Sequence, residues 1–323
     1  FTNEKPYVIY GFATVPTGET LTIEAGSRLH FHENSGIIVS TGASINVNGT
    51  YSNDQETLEK EVIFEGDRLE PLFADVPGQW GTIWLFNGST SNTIAYATIK
   101  NATIGILSEG NQNATNDKLT ITNSQIYNTS SFGILGRATS ITAENVVINN
   151  CGQSSFAGTL GGKYNFTHCT IANYRNSSFR QFPALLLNDY IEDADGITTP
   201  NDLTAANFTN CIIYGNDNPE LFLDDRGSVF NYKFTNCLIR FNDDNLAGTG
   251  NYMFEEDMFY DGNVFNVDPD FEDGFENLMR IGEDSGANGL ALPLMPAGSD
   301  LLSVSRNSTD PDCGAYESTV FED

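Results

Sequence analysis

Apolar residues in this chain recur on two fixed intervals, which only a wound stack of short strands can satisfy together. Near the N-terminus the pairs Leu21/Ile23, Leu29/Phe31, Ile37/Val39 and Ile45/Val47 return every 8 residues. Each pair has the i, i+2 spacing of a strand with one buried face. Gly18, Gly26, Asn34 and Gly42 keep the same 8-residue beat. Gly and Asn accept positive φ at least cost, so these positions read as turns. Three such strands make a coil of about 24 residues, and a helix cannot carry this punctuation.

The middle of the chain repeats at whole-coil length. Ala97-Thr98-Ile99, Ser124-Gln125-Ile126, Val146-Val147-Ile148, Cys169-Thr170-Ile171, Cys211-Ile212-Ile213 and Cys237-Leu238-Ile239 are variants of one unit. Their isoleucines lie 27, 22, 23, 42 and 26 residues apart. The interval of 42 is one coil carrying an insertion of roughly 18 residues, given a coil of ordinary solenoid length. Equivalent residues in successive coils stack at the ~4.8 Å strand spacing, which predicts one buried isoleucine ladder. Three positions earlier stand Tyr96, Asn123, Asn145, His168, Asn210 and Asn236. Stacked side-chain amides hydrogen-bond along such an axis, so this column reads as structural, with His168 a substitute for Asn.

The expectation is therefore an all-β parallel β-helix, right-handed, with three short strands per coil. Residues 1–20 form an entry segment, 21–266 the coils, and 267–323 a less regular covering tail. End coils expose strand edges and apolar core, which such segments cover. The polar stretch Asn53 to Lys60 leaves the coil as a loop before a strand at Val62-Ile63-Phe64. In the tail region Tyr252, Phe254, Phe259, Tyr260, Phe265, Phe271 and Phe275 read as a cap on the core.

Charge narrows the function classes. The 15 Lys+Arg against 43 Asp+Glu give a net charge of −28, a field that repels nucleic acids and anionic polysaccharides. Neutral or basic ligands and divalent cations remain. No apolar run approaches the roughly 18–20 residues of a membrane span. The N-terminal residues show no signal-type apolar core, so an export signal is expected outside this sequence. Five cysteines without CxxC spacing argue against a disulfide framework or a zinc ribbon. Cys169, Cys211 and Cys237 share one ladder position and read as small core residues; a Cys151–Cys313 pairing stays open.

Several motifs resemble the right-handed parallel β-helix proteins of the pectate-lyase-like superfamily, most of all the surface proteins and lipoproteins common in Bacteroidetes. Gly18-Glu19-Thr20-Leu21-Thr22-Ile23-Glu24-Ala25-Gly26 is similar to that family's first coil, and Trp80-Gly81-Thr82-Ile83 to its Trp-Gly-x-Ile element. Val267-Asp268-Pro269-Asp270-Phe271 and Asp312-Cys313-Gly314-Ala315-Tyr316-Glu317 resemble its C-terminal signatures. The resemblance implies export and often lipid anchoring. It implies no single chemistry, because the superfamily mixes lyases, hydrolases, binding proteins and architectural modules.

Candidate chemistry falls on one lateral edge. If Ile106-Leu107, Ile134-Leu135, Thr159-Leu160, Leu186-Leu187 and Phe222-Leu223 are equivalent strand ends, then Arg137, Asp189, Asp225 and Arg226 lie within a few coils of one another. Gly161-Gly162 would leave space between them, and the insertion Tyr190 to Gly196 would wall one side. Asp189, Asp193, Asp195 and Asp225 are candidate ligands for Ca²⁺, a cation wanting six to eight oxygens. Asp193-x-Asp195-Gly196 lacks the rest of an EF-hand. Asp189 and Asp225, with Arg137 and Arg226 nearby, are the candidate acid/base pair of a glycoside hydrolase or polysaccharide lyase. The Arg-rich motif of lyases and the Gly-His-Gly element of polygalacturonase-like hydrolases are missing. His30 and His32 flank Phe31 and should be exposed, and Tyr127 and Tyr214 should point outward. The leading expectation is an exported, monomeric surface protein that binds a glycan or another extracellular partner without cleaving it. An enzyme acting on a complex carbohydrate, and a purely architectural adhesin or spacer, are the alternatives.

Overall fold

A computed structural model describes residues 1–113 and 115–321; residues 322–323 of the expected tail lie outside the described residues. Among the described residues, twenty-three strands join one continuous parallel sheet wound into a solenoid, a parallel β-helix. Its first face stacks Tyr7–Ile9, Arg28–Phe31, Val62–Gly66, Ala97–Lys100, 124–127, 146–149, Thr170–Asn173, Ile212–Gly215, Leu238–Ile239 and Val264–Phe265. The second runs from Phe12–Val15 to Leu221–Asp224, and the third from Thr20–Glu24 to Tyr260–Asp261.

The predicted ladder is present without a break. Ile99, Ile126, Ile148, Ile171, Ile213 and Ile239 pair in register from coil to coil, and all six are fully buried. Phe31, Phe64 and Trp80 fill the lower core, with Phe31 and Trp80 stacked at 4.3 Å. Apolar side chains continue from one coil to the next, so burial is collective. Cys169, Cys211 and Cys237 lie inside this core, and all five cysteines are buried and free.

The asparagine column does two things. Tyr96, Asn123, Asn145, His168, Asn210 and Asn236 all take positive φ, between 46° and 57°, a region Asn tolerates better than most residues. They are thus the bends between third and first faces. Their amides also bond along the axis, Asn145 Nδ2 donating to Asn123 Oδ1 at 2.9 Å.

Residues 267–321 lie along the side of the solenoid. Asn210 donates to the Leu292 carbonyl at 2.9 Å, Asn236 to that of Leu290 at 2.8 Å, and Arg306 Nη2 to Asn145 Oδ1 at 2.8 Å. Val147, Ala172, Ile212 and Leu238 point outward from the first face and are buried under Met279, Ile281, Ala287, Leu301, Cys313 and Ala315. Tyr252, Phe254, Phe259, Tyr260 and Phe265 pack on the main core. Phe271 and Phe275 differ from the expected end cap: both sit edge-on to Tyr174 on the flank.

The long coil differs in detail from the expectation. Its extra residues are divided between a loop at 174–184 and an exposed antiparallel hairpin, Tyr190–Glu192 with Thr198–Pro200.

Candidate ligand-binding site

The lateral edge expected to carry chemistry exists, but its residues are already engaged. Glu109, Arg137 and Thr159 occupy equivalent positions, and Asn188 pairs with Asp224. Asp189 and Asp225 are therefore equivalents on adjacent coils, as the sequence suggested. Asp189 is 0% exposed. Its carboxylate accepts the backbone N–H groups of Arg226 at 2.7 Å and Ser228 at 2.9 Å. Both oxygens hold backbone N–H groups and the residue is fully buried, so the carboxylate is not presented to a substrate. Asp225 is exposed and accepts from the Asn251 side chain at 2.8 Å.

The arginines are also occupied. Arg137 pairs with Glu109 at 3.4 Å. Arg226 lies over the Tyr190 ring at 5.1 Å and beside Asp224 at 3.5 Å, while the Tyr190 hydroxyl donates to Asp224 at 2.5 Å. Asp193 accepts from Asp195 N and Ile197 N within its own hairpin turn, and Asp195 is exposed. Among the described residues no group of three or more His, Cys, Asp and Glu is placed to hold a metal ion.

Two register details correct the reading of this edge. Ile134-Leu135 pairs with Phe156-Ala157, three residues before Thr159-Leu160, and the next equivalents are Leu185-Leu186 and Leu221-Phe222, one residue before the expected Leu186-Leu187 and Phe222-Leu223. Gly161 and Gly162 are buried at the bend, where the Tyr164 hydroxyl donates to the Gly161 carbonyl at 2.9 Å. A Cβ on Gly162 would lie 2.5 Å from that hydroxyl oxygen. The doublet admits a core tyrosine and opens no surface space.

His30 also departs from expectation, with a side chain only 12% exposed beside Glu65 at 3.5 Å, whereas His32 is exposed and 2.7 Å from Asp67. Glu65 pairs with Lys100 as well, at 3.0 Å. His30, Glu65, Lys100 and Tyr127 follow one another in a single outward row of the first face.

Further along that face the row continues as Ala172, Tyr214 and Arg240. Here the tail segment 268–275 lies alongside it and leaves an open cleft of about 460 Å³, lined by Tyr174, Tyr214, Arg240, Asp268, Phe271 and Phe275. The strand pleat turns Tyr214 and Arg240 outward because Ile213 and Ile239 point in. The Arg240 guanidinium stands 5.4 Å over the Tyr214 ring and donates to the Gly215 carbonyl at 2.9 Å. Gly274 allows the tail this close, because a Cβ there would meet the Tyr174 ring at 2.9 Å. Burial raises the phenol pKa of both Tyr174 and Tyr214, with neighbouring charges adding to it at Tyr174. Both hydroxyls therefore stay protonated and can donate and accept.

The cleft combines aromatic edges, one planar cation and carboxylates at Asp268, Asp270, Glu272 and Asp273. Glu272 is held by Arg280 in a bidentate pair at 2.7 and 2.8 Å. A sugar ring has apolar C–H faces and a polar hydroxyl rim, and it suits a site of this make-up. An anionic ligand would meet a carboxylate majority. Sequence reading placed Tyr214 outward, but assigned neither Arg240 nor the tail residues that complete the site. Their approach depends on contacts between distant segments, which no periodicity encodes.

Compared with protein-family models the sequence matches none, and a comparison with curated proteins finds no match.

Proposed function

We propose that this protein is an exported, surface-displayed β-helix protein that binds an uncharged glycan without cleaving it, at the cleft between Tyr214 and the tail. The observation that carries this reading is the meeting of the outward Tyr214–Arg240 stack with Asp268 and Phe275 in one open cleft. The exposed Phe275 ring and the aromatic edges beside it supply the apolar contact, while phenol, guanidinium and carboxylate groups supply hydrogen bonds to hydroxyls. A binding role is favoured over hydrolysis because Asp189 is fully buried, with its carboxylate bonded to two backbone N–H groups. A general acid or base needs a free oxygen within reach of the scissile bond.

The likeness of the terminal segments to Bacteroidetes surface proteins supports export. Among the described residues, no helix is long and apolar enough to cross a membrane. A glycan array followed by mass analysis of the recovered sugar tests the proposal. Retention of neutral glycans, recovered intact, is the expected result. Shortened or unsaturated products would replace the binding reading with an enzymatic one.

A further inference from the structure

The corner that carries Tyr214 also builds a second depression. Phe179, Gln181, Asp217, Asn218, Phe222 and Asp243 line an open hollow of about 470 Å³ on the other side of the same turn. Phe179 is 88% exposed and Phe222 37% exposed. Two apolar rings in one hollow keep surface in contact with water that a bound partner would bury favourably.

The same three chain segments supply both hollows. Tyr174 leads to Phe179, Tyr214 to Asp217, and Arg240 to Asp243. The last two steps are three residues each, at most about 11 Å when extended, and the first is five, at most about 18 Å, so a single ligand a few rings long can reach both.

The second hollow is held rigid from beneath. Arg180 and Glu220 form a bidentate pair at 2.6 and 2.7 Å, with side chains 3% and 0% exposed. Glu220 also accepts from Ala184 N at 2.7 Å and Asp217 N at 2.9 Å. One carboxylate thus ties the loop bearing Phe179 to the turn bearing Asp217. Asn218 laces that turn to the next coil through Asn242 at 2.8 and 2.9 Å. A platform fixed before binding loses little entropy on association.

We infer that the two hollows are consecutive subsites for one linear, uncharged polysaccharide, with Phe179 and Phe222 stacking rings beyond those held at Tyr214. The inference rests on the glycan-binding reading and adds the ligand's class and extent. Asp217 and Asp243 rim the second hollow, so uronate or sulfated chains are repelled there and hydroxyl donors are accepted.

Calorimetric titration with cello-, xylo-, manno- and chito-oligosaccharides, from disaccharide to hexasaccharide, tests it. For at least one series, affinity should rise tenfold or more with length. Phe179→Ser and Phe222→Ser should abolish that rise and leave disaccharide affinity unchanged; both side chains face solvent, so folding is retained. A length dependence that survives both substitutions overturns the two-subsite inference while leaving glycan binding at Tyr214 intact. Flat affinity in every series does the same. Absence of binding to any sugar overturns both readings. Sedimentation showing a wild-type dimer that Phe179→Ser converts to monomer would assign the hollow to a second copy of the chain and overturn the inference.

Discussion

The Asn210 side-chain amide donates to His168 Nε2 at 3.0 Å, which places an imidazole in a column otherwise built mainly from asparagine. His168 is 3% exposed. Burial, and next the charge of Arg306, lower its pKa from 6.5 to about 3. The folded state therefore binds fewer protons than the unfolded chain between those values. The neutral imidazole's contribution is complete above about pH 6.5 and is lost as the pH falls toward 3.

His168→Asn should remove this sensitivity. Asn suits the φ of 50° at this position and keeps an amide on the ladder. The expected outcome is a smaller loss of stability between pH 7 and pH 4 than in the wild type. The difference is on the order of 3 kcal/mol, from ~1.4 kcal/mol per pKa unit over the part of the shift titrated. Urea denaturation at the two pH values measures it, and identical losses would show that His168 does not limit acid stability.

Asp189 and Asp225 should separate cleanly on substitution, although they occupy equivalent positions on adjacent coils. Asp189→Asn takes charge from an acceptor of two backbone hydrogen bonds and should cost about 1–3 kcal/mol. Asp225→Asn alters an exposed residue and should stay within about 0.5 kcal/mol. Neither should change glycan affinity by more than about twofold, since both lie outside the cleft lining. Urea denaturation with parallel titrations checks the pair; loss of binding in Asp225→Asn would return function to the edge.

Gly314 is where the tail is clipped to the coils. It has φ of 89°, and an added Cβ would lie 2.7 Å from Ile212 Cδ1. Its N–H donates to the Asn210 carbonyl at 2.8 Å, and its own carbonyl accepts from Arg306 Nη2 at 2.9 Å. Gly314→Ala should therefore loosen the flank at a cost of roughly 1–3 kcal/mol. Trypsin cleavage after Arg306, now buried, should speed up about tenfold as that segment opens more often. Unchanged cleavage would mean that other contacts hold the tail.

What the sequence revealed follows from what repeats in it. The isoleucine ladder, the Gly and Asn bends and the interior cysteines recur once per strand or coil, and the fold places them accordingly. The slip at Thr159-Leu160 arose because the true equivalent, Phe156-Ala157, lies three residues earlier, an odd offset that exchanges the inward and outward positions. Gly161-Gly162 looked like open surface because a glycine pair does not announce the Tyr164 ring that fills it. The flank position of the tail was not legible, since Arg306 meets Asn145 across 161 residues. The same long-range docking built the cleft, so only half of that site could be read in advance.

Under the proposed function, the Tyr214 cleft binds glycan without cleaving it. Titrating the best ligand of the oligosaccharide series into wild type, Tyr214→Leu and the exposed-site variant Asp268→Ala tests it most directly, with thermal melts confirming that each variant is folded. Saturable wild-type binding is expected, at least tenfold weaker in Tyr214→Leu and several-fold weaker in Asp268→Ala, with the sugar recovered intact. Equal affinity in all three folded proteins, or cleavage of the sugar, would contradict it.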